Sequence, residues 1–203
     1  VQRYEVGGRV YPQWVTENKF SQSNGHICQA MLAWAQEQLR PEGGGGVRDH
    51  DLIELYCGNG NFTLPLATLF RKVFATELDK FSVKAAIECA EQAGLANVQL
   101  AALSAEEAVQ ALGQEREFFR LREVNLQSYI FGVLVVDPPR AGLDAASLSL
   151  ARKFKEVIYV SCNPAKLAQD LAELPGHKVV SAALFDQFPW TQHAEVAVKL
   201  VRK

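Results

Sequence analysis

Ile158-Tyr159-Val160-Ser161-Cys162-Asn163-Pro164 is the stretch that decides how this chain folds. A run of β-branched and aromatic residues fits a buried strand, and Asn163-Pro164 stops it. A strand ending this way sets the Cys162 sulfur at its carboxyl edge, where open α/β sheets keep their ligands. The same grammar occurs twice upstream. Val133-Leu134-Val135-Val136 ends on Asp137-Pro138-Pro139, and Asp51-Leu52-Ile53-Glu54-Leu55-Tyr56 ends on Cys57-Gly58-Asn59-Gly60-Asn61. Three strand ends with special residues point to one crevice, holding a nucleophilic cysteine beside a nucleoside-type cofactor.

Outward from that stretch, strand and helix patterns alternate from Asp51 onward, which marks a parallel sheet in an α/β fold. Strands are predicted at 51–56, 72–77, 98–103, 130–137 and 157–162, with helices at 61–70, 80–93, 104–113 and 144–154. Residues 114–129 interrupt the rhythm. After Cys162 a helix at 165–174 leads to two strands, 178–186 and 194–202, which close the chain as a hairpin-like edge that a standard dinucleotide fold lacks. Upstream, Tyr4-Glu5-Val6, a Gly7-Gly8 turn and Val10-Tyr11 predict a hairpin, read as the remnant of an upstream domain. Phe20-Ser21-Gln22-Ser23-Asn24-Gly25 is a polar loop, followed by a helix whose apolar stripe is Ile27, Ala30, Met31, Trp34, Ala35 and Leu39. Pro41 and Gly43–Gly46 break that helix, dividing the chain into an N-terminal extension (1–46) and a catalytic domain (47–203).

The 203 residues suit one domain with a substantial core, and a 48% hydrophobic share excludes a disordered chain. No apolar run reaches a membrane span, and Arg3, Glu5 and Arg9 interrupt any signal-peptide core. A start at Val1 reads as a piece of something longer. The net charge of −2 argues against coating nucleic acid by bulk charge. It leaves room for a local patch: Arg116, Arg120 and Arg122 with Phe118 and Phe119 contact RNA or, alternatively, form a solvated face with both rings packed inward. Cys28, Cys57, Cys89 and Cys162 lie far apart without a CxxC pair, so neither a zinc site nor a disulfide framework is indicated. Reduced thiols in a cytoplasmic protein are expected, with Cys28 and Cys89 packing in helices and Cys57 structural.

Gly58 and Gly60 between a strand and a helix let backbone approach a ligand. Thr63 stands where a dinucleotide fingerprint has its third glycine, which weakens a pyrophosphate reading. Glu77, at the end of the second strand, sits where an acid accepts hydrogen bonds from both ribose hydroxyls. The two prolines of Asp137-Pro138-Pro139-Arg140 stiffen the loop that presents Asp137. Arg140 occupies the place of the aromatic in the Asp/Asn-Pro-Pro-aromatic motif of amine methyltransferases, which counts against methylation of an exocyclic amine. Asn163-Pro164 opens a helix directly after Cys162, and helix N-termini lower thiol pKa, so a reactive thiolate is expected. Phe188 and Trp190 are aromatics on a loop near the crevice, suited to stacking on a base. His193 and Glu195 alternate along a strand and share one face, from which a carboxylate serves as general base or is simply solvated.

Glu54–Asn61, Val136–Asp144, Ser161–Pro164 and Phe185–Glu195, in this order and spacing, resemble the RNA uracil-C5 methyltransferase family. The Phe-Asp-Gln-Phe-Pro ending and Phe119-Arg120-Leu121 resemble its tRNA-modifying branch more than the ribosomal RNA enzymes. Departures are the Gly43–Gly46 insertion, Trp190 where tyrosine is usual, and Gln192-His193-Ala194 in place of a more His-rich stretch.

The resemblance implies a class I S-adenosylmethionine-dependent methyltransferase: a mainly parallel seven-stranded sheet with an antiparallel C-terminal edge strand. By motif, Cys162 matches the nucleophile and Glu195 the base, and Gln22, Tyr56, Asn61, Glu77 and Asp137 match cofactor contacts, with Gly58 and Gly60 allowing close approach. Arg140 is read as a ligand for substrate phosphate or a uracil carbonyl; Phe188 and His193 complete the substrate side. The activity that this resemblance implies is methylation of a tRNA T-loop uridine to 5-methyluridine by a cytoplasmic monomer bound to the T-arm, without metal or membrane. A ribosomal RNA enzyme, a cytosine-C5 methyltransferase and a non-catalytic RNA-binding or RNA-folding module are the alternatives.

Overall fold

The computed structural model describes residues 1–15, 21–41, 43–191 and 193–203. Phe20 and Gln192, which belong to the polar loop and the closing motif, lie outside the described residues. A two-stranded hairpin comes first: β1 (Gln2–Val6) and β2 (Arg9–Gln13) are antiparallel, with Val6 opposite Arg9. Gly7 and Gly8 both take positive φ, as the two-residue turn requires. Helix α1 (Gly25–Leu39) starts where the Asn24 side chain accepts the Ile27 N–H, and it ends before Pro41.

The main sheet is built from β3 (Asp51–Leu55), β4 (Val73–Glu77), β5 (Val98–Ala102), β6 (Phe131–Val136), β7 (Glu156–Ser161), β8 (His177–Phe185) and β9 (Glu195–Arg202). Its order is β5-β4-β3-β6-β7-β9-β8. The first five strands in that order pair in parallel, while β9 is antiparallel to both β7 and β8. The C-terminal strand therefore runs against the rest as expected, one place in from the edge, and β8 forms the edge itself.

Helices α2 (Thr63–Ala67), α3 (Lys80–Gln92), α4 (Ala105–Leu112), α5 (Ala145–Ala151) and α6 (Pro164–Ala172) fill the crossovers. α2 is shorter than the predicted 61–70, because Asn61 and Phe62 stay in the loop after β3, 68–69 leave the helix as turns and Phe70 bridges to Arg48. Residues 114–129 hold only two short 3-10 turns. Among the described residues no helix is long and apolar enough to cross a membrane.

Alternating side chains divide the core in two. Leu52, Val133, Val135, Ile158 and Val160 join α1, α2 and the hairpin's Tyr4, Val6 and Tyr11 on one face. Ile53, Leu134, Val136, Val157 and Tyr159 meet α4, α5 and α6 on the other. A central strand buried on both faces reads as a continuous apolar run, which is why these strands stood out in the sequence. The chain order reverses around β3, since β4 leaves on one side and β6 on the other. That switch point opens the crevice.

Candidate active site

A cavity of about 870 Å³ lies at this carboxyl edge, within the usual range for small-molecule sites. Glu77 closes β4, and both its oxygens are held by backbone: Oε2 accepts the Gly58 N–H (3.0 Å) and Oε1 the Asp79 N–H (2.9 Å). Tyr56 turns the chain off β3 at φ 61°, a left-handed conformation rare for an aromatic residue. Its hydroxyl sits 2.8 Å from Ser147 Oγ, and burial pushes its pKa up to about 12.

Gly58 also has positive φ and nothing near its missing Cβ, so the loop backbone is open to the cavity. Gly60 differs. A Cβ there would meet Ala86 Cβ at 3.3 Å, and Gly60 is not among the lining residues. It serves close packing of the loop on α3 rather than ligand approach. Asn61 lines the cavity; its Oδ1 accepts from the Cys28 thiol at 3.3 Å, and its Nδ2 is buried without a partner among the described residues. Gln22 reaches the same cavity, held by Gln187 Nε2, which donates to its Oε1 at 2.6 Å.

Cys162 follows β7 directly and is half-buried. Ser161 Oγ accepts the Asn163 N–H (3.1 Å), the Asn163 side chain caps α6 by accepting from the Lys166 N–H, and Asn163 Nδ2 donates to the Arg140 carbonyl (3.1 Å). These bonds tie the thiol's loop to the Pro-Pro-Arg loop. β7 pairs antiparallel with β9 so that Ser161 faces Val196. Cys162 follows Ser161 in the chain and Glu195, the first residue of β9, precedes Val196; Cys162 and Glu195 both line the cavity. Glu195 is 4% exposed, and burial raises its pKa.

The electrostatics correct one sequence expectation. A helix start alone was expected to lower the Cys162 pKa; burial, followed by the charges of Glu195 and Asp137, raises it, with Arg140 opposing. Burial comes first, and the two carboxylates near the sulfur act in the same direction. Asp137 is pushed up to about 8 by burial and by Glu195. Glu54, not singled out in the sequence, is buried at 1% exposure beneath the glycine loop, donated to by Thr63 Oγ1 (2.7 Å), and also rises to about 8. Its sequence signals were a charge in a mostly apolar strand and its place at the head of the Glu54–Asn61 segment.

Arg140 reaches His193 (Nη2 to Nδ1, 3.2 Å), and Phe188 meets the same imidazole edge-on at 6.3 Å. All three line the cavity near Cys162 and Glu195. Trp190 does not: it is fully exposed at φ 67°. Cys28, Cys57 and Cys89 are buried. In the arginine patch, Arg116 and Arg120 both pair with Glu107 and Arg122 with Glu123; Phe118 is buried, while Phe119 is 78% exposed with Arg122 stacked at 4.5 Å. Neither sequence alternative describes that split.

The sheet order, the inserted antiparallel β9 and the acid-lined cavity at the switch point define the fold of the class I S-adenosylmethionine-dependent methyltransferases. Within that class, the chain belongs to the tRNA (uracil-5-)-methyltransferase family, whose model matches residues 1–203. It is 52% identical over 199 residues to a tRNA/tmRNA (uracil-C(5))-methyltransferase of Stutzerimonas stutzeri, covering 98% of this chain and 53% of that protein. A protein of the same description from Azotobacter vinelandii is 52% identical over 200 residues, covering 98% and 54%. The crystal structure of Pyrococcus abyssi tRNA (uracil-54, C5)-methyltransferase in complex with S-adenosyl-L-homocysteine superposes with a TM-score of 0.74 at 24% identity, covering 98% of this chain and 44% of that one. The chain spans about half the length of the curated relatives it matches.

Proposed function

We propose that this chain carries the catalytic part of an S-adenosylmethionine-dependent enzyme that methylates C5 of a tRNA T-loop uridine, giving 5-methyluridine. Residues 47–203 form the catalytic unit and 1–46 an extension that closes the cofactor end. The observation that carries the reading is the meeting of Cys162 and Glu195 in one cavity with Glu77 and Asp137.

The residues fit the cofactor. Glu77, anchored by two backbone N–H groups, keeps oxygen lone pairs for ribose hydroxyls. Gly58 leaves room for close approach, and the buried Asn61 Nδ2 is a donor awaiting an acceptor. When bound, S-adenosylmethionine supplies an electrophilic methyl group. The chain supplies the rest. Uracil C5 is a weak nucleophile within its conjugated enone, and the Cys162 thiolate, by adding to C6, turns C5 into an enolate carbon. After C5 is methylated, Glu195 takes the C5 proton, and elimination at C6 releases the sulfur. Arg140, Phe188 and His193 hold the base from the open side, with Phe119 and Arg122 reaching the T-arm. The chain works as a cytoplasmic monomer.

Incubation with tRNA and methyl-labelled cofactor, with nucleoside analysis of the product, tests this. 5-Methyluridine is expected; 5-methylcytidine, or no labelled nucleoside, would overturn it. Cys162→Ala should abolish both transfer and covalent RNA capture, whereas Glu195→Gln should methylate once and remain attached to the RNA. Turnover by Cys162→Ala would refute the covalent scheme.

A further inference from the structure

The last residue of β2, Gln13, drew no attention in the sequence. It is 4% exposed, lines the cavity, and buries an Nε2 with no hydrogen-bond partner among the described residues. A buried amide donor left unpaired is costly and calls for an acceptor. Its placement is not slack: the neighbouring Trp14 donates its N–H to Cys89 Sγ on α3 (3.2 Å), and its carbonyl accepts from Asn59 Nδ2 in the glycine loop (2.9 Å). The hairpin is thus tied to the loop, and Gln13 lines the same cavity as Asn61, whose Nδ2 is also buried without a partner among the described residues.

The rest of the lining sets what such donors can hold. Glu54, Glu77, Asp137 and Glu195 make the cavity acidic, and Arg140 is its one Lys or Arg among the described residues, beside His193 and tied through Asn163 to the Cys162 loop. An anionic ligand group seated by the glycine loop must therefore be held by neutral N–H donors. We propose that Gln13 Nε2 donates to the α-carboxylate of the ligand's amino-acid end, making the N-terminal hairpin part of the cofactor site. The proposal rests on the S-adenosylmethionine reading above. It assigns Gln13 a binding role; no covalent step is involved.

Calorimetric titration of the whole chain with S-adenosylhomocysteine and with 5′-deoxy-5′-methylthioadenosine, which lacks the amino-acid end, separates the possibilities. Gln13→Met preserves length and removes the donor; it should weaken S-adenosylhomocysteine about tenfold or more, as for a hydrogen bond to a charged group, and leave methylthioadenosine unchanged. Gln13→Glu should lose more of the first and none of the second, because two carboxylates repel. Neither variant should melt earlier through loss of a partner, since the amide donor has none among the described residues. Unchanged S-adenosylhomocysteine affinity in Gln13→Met, or equal losses for both ligands, would overturn the proposal. Wild type that binds neither ligand would instead sink the cofactor reading itself, and this one with it.

Discussion

Glu195→Gln keeps the shape of the side chain at the head of β9 and removes one negative charge near the thiol. At an effective dielectric of about 20, two unit charges roughly 5 Å apart repel by about 3 kcal/mol. Cys162 is half-buried at the cavity wall, so water screens the pair, and the expected fall in the thiol's pKa corresponds to a fraction of that repulsion. The sign is fixed by the charges: Glu195 is one of the two carboxylates that raise the thiol, and removing it favours the thiolate. The assay is the initial rate of iodoacetamide alkylation over a pH series, with Cys162→Ala as the blank. Cys28, Cys57 and Cys89 provide a quiet background, because they are buried and burial raises each thiol's pKa. A midpoint that stays put or moves upward in Glu195→Gln would refute the electrostatic coupling, and with it the reading of this pair as one catalytic unit.

Glu54 offers a stability counterpart. Its folded pKa of about 8 lies above the ordinary glutamate value of about 4.3. Between those values the folded chain keeps a proton that the unfolded chain has released, so stability is highest below the window and falls as pH rises through it. Glu54→Gln should flatten that fall and raise the melting temperature at mildly alkaline pH, with a gain on the order of 3 kcal/mol; a steeper fall in thermal melts across pH would contradict it. Gly142, at φ 79°, lies so close to α6 that an added Cβ would stand 2.5 Å from both Asp170 Oδ2 and Lys166 Cγ. Buried Asp170 accepts from the Leu143 N–H (2.9 Å) and the Tyr159 hydroxyl (2.7 Å), pinning the loop that carries Arg140. Gly142→Ala should therefore cost about 2 kcal/mol or more, read from the denaturant midpoint; an unchanged midpoint would show that the loop yields freely.

Strand positions were legible because a strand buried on both faces writes a continuous apolar run, and the punctuation after each run was local. Asp144 and Asn163 cap α5 and α6 through bonds spanning only three residues, so a short window contains their cause. The Gly7-Gly8 turn was readable for the same reason. The positions of Cys162 and Glu195 were recognisable through motif resemblance, yet their meeting at one cavity depends on the pairing of β7 with β9, a strand that begins 33 residues after Cys162. No local pattern specifies that β9 enters between β7 and β8.

Other features were settled only by what packs against what. Gly60 looked like a ligand-approach glycine until α3 was seen to press on it. The thiol's pKa is raised by burial first and by the neighbouring carboxylates second, neither of which a helix start in the sequence displays. Gln13, an ordinary glutamine at a strand end, became a buried donor because Trp14 is tied to both α3 and the glycine loop. Periodicity, capping and turn chemistry act within a few residues, and those the sequence determined by itself. Burial, pKa and the pairing of distant side chains depend on how the whole chain closes around the switch point, and only the tertiary structure decided them.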